Sequence, residues 1–479
     1  MSKTKIVYRD IAPKAAQDAT VSSASATAQS NVSLLPNGVE PEPTISLEPG
    51  YWGLNGEFQY EWSQPVAFQS TEMSGADGNF TNKPIITMTF TMRHTSTGLT
   101  FVFDRSNGGY CTSMTIAWYQ GTTKMAEETF TPDSPEFVCS KTVIGYDKLV
   151  VTLNKTSLPY RYARLEHIIF GIYREFGMSD IRSASIVNQT GLISQEIPVS
   201  TLKWTLDNRS NIEYMFQFKQ PVEVSNDDNL IGVYYIDGYT RASQSVYDID
   251  CYDAIGVLSE NQFDGGYYNK KSAKALLEEI VADDFGIEYA TGVVDKQLTG
   301  LINPGTKRDA IQQVLFAWGV CASTDGRNTI RIFNLPSTGK NVPLSQTYEG
   351  VSMNVASIVT EVRVTAHTYT AKSDGGYEDT TTVYSVKNPY VSTTDKQNII
   401  TVDSATLVSP DIGQQTAQRV FDYYMRRNTN SATLVWKGES LGDYLTLPNA
   451  WGETSSGNVS KMEIKLSNTV AASVDCVGV

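Results

Sequence analysis

Two runs of the sequence decide the predicted fold: YYIDGYTRASQSVYDIDCYDAIGVLSENQFDGGYY at residues 234–268 and GTKRDAIQQVLFAWGVCASTDGRNTIRIFNLP at residues 305–336. The first run has two segments in which apolar and polar residues alternate, which predicts strands, and its Gly-Gly pair is typical of a turn. The second run predicts an amphipathic helix followed by a strand at residues 329–333. Neither run contains a motif typical of an active site, so residues 234–336 are predicted to be a scaffold.

Three segments predict amphipathic helices, at residues 272–285, 306–319 and 409–427. Each begins with Ser or Thr, which favour the N-cap of a helix, and Gly286 and Gly319 are the predicted stops of the first two. Apolar residues recur on one face of each segment, and these faces are predicted to pack in the core. The apolar positions are Leu276, Leu277, Ile280, Val281, Ile311, Val314, Leu315, Trp318, Val420, Phe421 and Tyr424.

The composition predicts a globular, mostly β protein. A length of 479 residues suggests about three domains, and 41% hydrophobic with 19% charged residues is typical of a globular chain. The 26 tyrosines and the frequent Thr, Ser and Val favour strands. A formal net charge of −14 repels phosphate backbones, so no specific nucleic-acid binding is predicted. The sequence has neither an apolar stretch of roughly 20 residues nor the apolar core of a secretion signal, which predicts assembly in a cytoplasm without membrane insertion.

No catalytic, cofactor-binding or metal-ligating residue is predicted. The five cysteines lie far apart without a CxxC pair, so each is predicted to be a small buried residue rather than part of a disulfide or zinc site. The three histidines are also scattered and are predicted to be hydrogen-bonded or exposed. The acidic residues Glu278, Glu279, Asp283 and Asp284 lie on a predicted helix, where Glu278 and Glu279 form its solvated face. The cysteines are Cys111, Cys139, Cys251, Cys321 and Cys476, and the histidines are His94, His167 and His367.

The chain is predicted to have five parts. Residues 1–43 are predicted to be a short strand and a flexible arm rich in Ala, Ser and Thr, and a connector is favoured over an arm that orders on a neighbouring subunit. Alternating runs between turn clusters predict an antiparallel sandwich or jelly roll at residues 44–177. A strand meander follows at residues 178–258, the first two helices lie in residues 259–340, and residues 341–479 return to strands around the third helix.

The second part resembles a known type of domain. The run from YWGLNG at residue 51 to RYARLEHIIFG at residues 161–171 resembles the galactose-binding-type β-sandwich found in many phage tail proteins. Such sandwiches often bind sugars through exposed aromatic residues. The candidates here are Trp52, Trp62, Trp118 and Tyr119. Alternation directs one of the last two into the core, and core or interface packing is favoured at all four, so no sugar site is predicted.

The chain from Ile197 onward resembles the central hub proteins of phage tail baseplates and related contractile injection machines. The resemblance lies in the order of several motifs and covers more than half of the chain. The motifs are PVSTLKWTLDN, YYIDGY, YDIDCYDAIGVL, FDGGYY, the helix–strand run at residues 305–333, and the closing LGDYLTLPNAWGETSSGNVSKMEIKLSNTVAASVDCVGV.

The resemblance implies a mainly β fold with a small α/β part: an N-terminal β-sandwich, two β-barrel-like tube domains at residues 178–258 and 341–479, and an α/β subdomain between them. It implies a homotrimeric ring that joins the sixfold tail tube to the threefold central spike, with the tail tube protein, the spike protein and other baseplate or tape-measure proteins as partners. The location implied is the baseplate of a virion or phage-like particle that assembles in the bacterial cytoplasm. An infectious phage and a headless bacteriocin both fit, and a contractile tail is favoured.

Two further hypotheses compete with the hub. A tail-associated adhesin would bind cell-surface carbohydrate through the sandwich. A tail-associated enzyme has the weakest support, because the sequence lacks GxSxG, HExxH, P-loop and Cys-His motifs, and the protein is predicted not to be an enzyme. For the hub itself, the negative net charge suggests an acidic inner wall that would let DNA or an unfolded chain pass without sticking.

Overall fold

The computed structural model describes residues 4–12, 14–39, 48–49, 66–104, 110–209, 216–227, 229–282, 284–324, 328–348, 351–373, 375–392, 396–448, 453–466 and 470–478. The chain forms two compact units, one of Met1–Val7 with Glu175–Val479 and one of Tyr8–Arg174. Strands predominate and helices are few and short, which confirms the predicted mainly β fold with a small α part.

The strands, in chain order, are β1 (Thr4–Ile11), β2 (Thr20–Ser22), β3 (Phe68–Met73), β4 (Ile85–Phe103), β5 (Cys111–Gln120), β6 (Thr123–Phe130), β7 (Glu136–Thr156), β8 (Tyr162–Ile169), β9 (Gly171–Gly177), β10 (Ile181–Gln189), β11 (Thr201–Asp207), β12 (Pro221–Asn226), β13 (Asn229–Ser243), β14 (Val246–Tyr252), β15 (Gln262–Phe263), β16 (Gly266–Ser272), β17 (Gly286–Tyr289), β18 (Gln297–Ile302), β19 (Gly305–Thr306), β20 (Cys321–Ser323), β21 (Thr329–Phe333), β22 (Lys340–Asn341), β23 (Ser352–Val355), β24 (Glu361–Ala371), β25 (Tyr377–Lys387), β26 (Ile399–Val402), β27 (Asn428–Val435), β28 (Tyr444–Pro448), β29 (Thr454–Lys465) and β30 (Ala471–Gly478). The α-helices are α1 (Ala15–Asp18), α2 (Ala254–Leu258), α3 (Ala273–Val281), α4 (Lys307–Trp318) and α5 (Pro410–Tyr424).

The smaller unit is an antiparallel sheet in the order β3-β8-β4-β7-β5-β6, with β2 paired to β4. Two of its strands are long, β4 with 19 residues and β7 with 21. Their pairing contains register shifts between Thr89 and Gly98, which are typical of bulges that bend a strand. Residues 85–91 and 99–103, which both alternate in the sequence, belong to this one bent strand. Apolar residues from β3 to β8 form a single core beneath it.

Residues 14–39, which were predicted to belong to a flexible arm, pack onto the smaller unit. Ala15 and Leu35 are fully buried in its core. Small side chains allow the segment to lie close to the sheet, and its backbone pairs there, for example from Asn31 N–H to the carbonyl of Val66 at 2.7 Å. The composition that suggested flexibility is thus also suited to close packing.

Asp18 fixes this segment to β4. Its carboxylate accepts hydrogen bonds from the backbone N–H groups of Thr91 at 3.0 Å and Met92 at 2.9 Å, and from the Thr91 hydroxyl. His94 Nε2 lies 2.8 Å from the same carboxylate. These bonds, with the Thr91 hydroxyl foremost, hold the pKa of the Asp18 carboxyl well below its usual range.

Asp18→Ala is expected to release residues 14–39 from the sheet, so a protease should cut this segment faster than in the wild type at pH 7. The exposed control Asp133→Ala should leave the cleavage rate unchanged. Because the folded pKa of Asp18 is depressed, its stabilising effect is complete above the unfolded pKa of about 3.9. The effect is lost as the pH falls through the folded pKa. The difference in cleavage between wild type and Asp18→Ala should therefore shrink below about pH 4. Equal cleavage of the two proteins at pH 7 would contradict the anchoring role.

The larger unit is built on one extended sheet in the order β23-β27-β30-β29-β10-β11-β14-β13-β12-β1-β9, with β28 paired to β29 and β22 to β28. It contains two groups of antiparallel strands, β10–β14 and β27–β30 with β23. The groups join where β10 pairs with β29, and Ile186 lies opposite Ile464. The two strand groups therefore form one surface.

A helical core lies beside this sheet in the same unit. It combines the buried faces of α2 to α5 with strands that include β18, β21, β24 and β26. The predicted Gly-Gly turn leads into it. Gly265 has φ +72°, and a Cβ there would lie 2.2 Å from the carbonyl oxygen of Ile302, so the turn requires glycine. The stretch that was predicted as a scaffold supplies α2, α3 and α4 of this core.

The predicted helices form with some differences at their ends. Thr306 caps α4 by accepting a hydrogen bond from Asp309 N–H at 3.1 Å, and the helix ends at Gly319 with φ +93°, both as predicted. Helix α3 ends at Val281, earlier than the predicted stop at Gly286, because Lys307 Nζ binds the Val281 carbonyl at 3.3 Å and Ala282 leaves the helix with φ 49°. Helix α5 begins at Pro410 with Ser409 at its N-cap, as predicted, but the Ser409 side chain makes no cap hydrogen bond.

Candidate functional site

One face of the extended sheet carries short polar side chains across both strand groups. Residues that lie directly opposite each other on paired strands share a face, so the register defines rows. The residues in these rows are not buried, and the second row ends at Thr201 because its partner on β14, Tyr252, is buried. The rows are Val435, Ala471, Lys465, Ser185, Lys203 and Asp250; Thr433, Ser473, Glu463, Val187 and Thr201; and Ser431, Asp475, Lys461 and Gln189. We call this surface the polar face.

Hydrogen bonds between neighbouring strands hold the polar side chains in place. Ser431 Oγ donates to Asp475 Oδ1 at 2.6 Å. In the other strand group, Ser183 Oγ donates to Thr205 Oγ1 at 3.3 Å, and Thr205 Oγ1 donates to Asp248 Oδ1 at 2.7 Å. Such cross-strand pairs hold these side chains in place on the sheet.

The charge on the polar face is nearly balanced. Lys203 and Asp250 form an ion pair at 2.9 Å, and its hydrogen bond raises the pKa of Lys203. Arg182 lies 3.4 Å from Asp207 at the edge of the same face. Within the rows, the acidic residues are Asp250, Glu463 and Asp475, and the basic residues are Lys203, Lys461 and Lys465. The net charge of −14 is therefore not concentrated here.

The opposite face of the sheet is apolar and packs in the core. Trp204 is 2% exposed, and its ring centroid lies 5.2 Å from that of Phe176 and 5.8 Å from that of Phe216. The next positions along β11, Leu202 and Leu206, are also buried. The strand thus alternates strictly between core and polar face.

A cavity of about 670 Å³ lies between the two strand groups, lined by residues that include Asn188, Leu230, Trp436, Glu439 and Met462. Its buried polar groups have protein partners. Asn188 Oδ1 accepts a hydrogen bond from Tyr234 at 2.8 Å, and Glu439 accepts bonds from Gln346 Nε2 at 2.9 Å and from the backbone N–H of Lys437 at 2.7 Å. Asn188 and Glu439 are thus already hydrogen-bonded within the protein.

The aromatic residues considered for sugar binding do not form a site in the described part of the chain. Trp52 and Trp62 lie outside the described residues. Trp118 is fully buried and contacts Phe130 edge to face at 6.5 Å, which confirms core packing. Tyr119 is partly buried, and Lys148 Nζ lies 5.2 Å above its ring.

The other residues considered for catalysis or metal binding are exposed, buried or hydrogen-bonded within the protein. Glu278 and Glu279 are exposed on α3 as predicted, and Asp283 lies outside the described residues. His94 contacts Asp18, His167 Nε2 lies 3.3 Å from the carbonyl of Pro36, and His367 Nδ1 lies 2.8 Å from Asp379, which confirms that the histidines have partners. All five cysteines are buried and unpaired, as predicted, and burial raises the pKa of the Cys111 thiol to about 12.

Within the described ranges, no cluster of His, Cys, Asp and Glu is arranged to hold a metal ion. Among the same residues, no helix is long and apolar enough to cross a membrane. The polar face extends across both strand groups of the extended sheet. Sequence reasoning missed it because its rows depend on which strands pair. The alternate positions Thr201, Lys203 and Thr205 of β11, and Ser473 and Asp475 of β30, do indicate one solvent-facing side of each strand.

The sequence matches no protein-family model and shows no significant similarity to a curated protein. The structure is similar to the tail protein of Neisseria meningitidis MC58, with 12% identity, 64% of this chain and 93% of that chain covered, and a TM-score of 0.49. It is also similar to the 43 kDa tail protein of prophage MuSo2 from Shewanella oneidensis, with 11% identity, 64% and 95% coverage and a TM-score of 0.47. A third similar structure is an E. coli component of the type VI secretion system, with 10% identity, 63% and 74% coverage and a TM-score of 0.40.

Proposed function

We propose that this chain is a structural protein of a phage or phage-like tail, and that within the tail it is the baseplate hub. The observation that carries the proposal is the extended sheet, in which two groups of antiparallel strands share one polar face. The sequence resemblance to hub proteins covers the strands and helices of the same unit and supports the same role.

Two strand groups per chain suit a homotrimeric ring. Three copies place six strand groups around one axis, which matches a sixfold tail tube on one side. The chain itself repeats only three times, which matches a threefold central spike on the other side. Ring closure also removes exposed ends of the sheet, which are a liability in an isolated β protein.

In this ring the polar face lines the central opening. Its short Ser and Thr side chains offer little apolar contact to a passing DNA or unfolded chain, and its balanced charge produces only a weak field. The wall is then close to neutral, in contrast to the acidic wall that the net charge suggested. The partners are the tail tube protein, the spike protein and other baseplate or tape-measure proteins, and the protein resides in the tail of the particle.

Electron microscopy of assembled particles tests the location. A peptide tag inserted in the β5–β6 turn at Gly121, where a Cβ would meet no atom within 4 Å, can be labelled with a gold-conjugated antibody without entering the core. We expect label at the baseplate end, close to the tail axis, and a ring of three copies of the 52.8 kDa chain in the reconstructed map. Label along the tail fibres or on a head would overturn the hub assignment, and untagged particles are the control.

The runner-up is an adhesin that binds surface carbohydrate through the smaller unit. It has less support, because Trp118 is buried and Tyr119 is partly covered by Lys148. A glycan array with the full chain separates the two roles. Reproducible binding that is lost in Tyr119→Ala would favour the adhesin.

A further inference from the structure

Strand β25 ends its sheet and is exposed along most of its length. The sheet order is β25-β24-β26, and within the described ranges β25 pairs only with β24, in unbroken register from Tyr377 to Lys387. Residues 377–383 are exposed on both faces of the hairpin. An edge strand of 11 residues without a bulge presents a row of backbone groups that can pair with another strand.

An edge strand in the smaller unit carries charged residues that protect it from pairing with another strand. Strand β6 also ends its sheet, and it carries Lys124, Glu127 and Glu128 along its exposed length. Lys124 pairs with Glu127 at 2.5 Å, and Lys141 pairs with Glu128 at 2.8 Å. Charged residues of this kind discourage pairing between edges. The middle of β25, TTTVYSV at residues 380–386, has no charge and no proline.

Aromatic contacts keep the exposed hairpin in a fixed position. The ring of Tyr377 stacks on Tyr267 of β16 with centroids 4.8 Å apart, and Tyr369 contacts the same ring at 6.4 Å. Within the exposed part, His367 Nδ1 lies 2.8 Å from Asp379. A pre-positioned strand loses little conformational freedom when it pairs, which favours binding.

The sequence of β25 is complementary to itself when two copies of the strand run antiparallel. If two copies pair antiparallel about Val383, Thr381 lies opposite Ser385, and Asp379 lies opposite Lys387 at both ends. All these positions share one face by alternation. The side chain of Val383 is 59% exposed and that of Asp379 is 39% exposed, so both are accessible to a partner. An opposite charge directly across the strands and a β-branched pair at the centre are both stabilising arrangements.

We propose that two copies of this chain join through β25, antiparallel, about a twofold axis at Val383. The contact extends the three-stranded sheet to a six-stranded sheet across the two copies. It uses neither the polar face nor the ends of the extended sheet, so it does not rest on the proposed hub function. It concerns the free protein, because a single ring of three copies offers no twofold partner to β25.

Cysteine cross-linking of the full chain tests the contact. All five native thiols are buried, so an introduced surface cysteine reacts selectively. In Val383→Cys the two thiols face each other, with Cβ atoms about 5 Å apart, and mild oxidation or a short bis-maleimide should give a covalent dimer. The matched control is Thr368→Cys, which is exposed but lies on β24, opposite Thr380 and one strand away from the outer edge of β25. We expect at least tenfold more dimer from Val383→Cys.

A second cross-linking experiment tests the register in which the two β25 strands pair. A mixture of Thr381→Cys and Ser385→Cys chains should form a mixed dimer, and neither chain alone should do so with comparable yield. Equal cross-linking of Val383→Cys and Thr368→Cys would overturn the proposal. So would the absence of dimer from a Val383→Cys chain that takes up one maleimide label under native conditions.

A charge at the axis provides a second test without cysteine. Val383→Lys places two ammonium groups opposite each other, and we expect the dimer dissociation constant measured by mass photometry to rise at least tenfold. Thr368→Lys adds the same charge to the neighbouring strand and should leave it unchanged. Both positions are exposed, so circular dichroism should show that both variants fold. Equal effects of the two lysines, or a wild type that is monomeric at all concentrations, would reject the contact.

Discussion

Trp204→Ala should destabilise the larger unit by about 3–5 kcal/mol, the loss typical of a large aromatic residue removed from a packed core. Trp204 is 2% exposed and packs against Phe176 and Phe216. Phe216 in turn contacts Tyr247 at 6.0 Å. Neighbouring aromatic rings cannot collapse fully into the space that the indole leaves, so a cavity remains. Urea unfolding followed by circular dichroism measures the loss.

Lys203→Ala is the matched control, because it lies next to Trp204 on β11 and projects from the polar face. Its ion pair with Asp250 is exposed, so its loss should change stability by no more than about 0.5 kcal/mol. A similar loss in both variants would contradict the assignment of one core face and one polar face to this sheet.

The local part of the fold could be predicted from the sequence because it depends on nearby residues. Strand β21 matches the predicted residues 329–333, and the cap of α4 at Thr306 and its end at Gly319 follow from residue type alone. The end of α3 could not be predicted. It depends on Lys307, which is distant in sequence and binds the carbonyl of Val281.

The polar face depends on contacts between distant parts of the chain. Alternation in β10 shows which residues share a side, but not that β10 pairs with β29, which begins at Thr454. That pairing joins the two strand groups and aligns Ser185 with Lys465. The packing of residues 14–39 was unpredictable for a similar reason, because Asp18 finds its hydrogen-bond donors on β4.

Asp253 joins the end of β14 to the start of α2 and to the end of β20. It is 2% exposed, its Oδ1 accepts a hydrogen bond from Gly256 N–H at 3.1 Å, and its Oδ2 accepts one from the Thr324 hydroxyl at 2.5 Å. The first bond caps α2. Burial raises the pKa of the Asp253 carboxyl, although the bonds from Thr324 and Gly256 act in the opposite direction.

Asp253→Ala should lower the free energy of unfolding by about 2–3 kcal/mol, because a helix cap is lost and two buried donors are left without an acceptor. Asp253→Asn keeps one oxygen for Gly256 and should cost much less. Comparison of the two variants also separates the effect of the helix cap on stability from the effect of the charged carboxylate. A carboxyl whose folded pKa is raised holds its proton at a pH where the unfolded chain, with a pKa of about 3.9, has released it.

Wild-type stability should therefore fall relative to Asp253→Asn as the pH rises from about 3.9 through the folded pKa of Asp253, and the difference should then become constant. The pH dependence of stability is opposite to that expected from Asp18, whose folded pKa is depressed. Urea unfolding of wild type, Asp253→Asn and Asp253→Ala between pH 4 and pH 8 measures both effects. A difference between wild type and Asp253→Asn that does not change with pH would show that burial does not control this carboxyl. The loss in Asp253→Ala would still report on the cap, because the alanine variant has no group to titrate at this position.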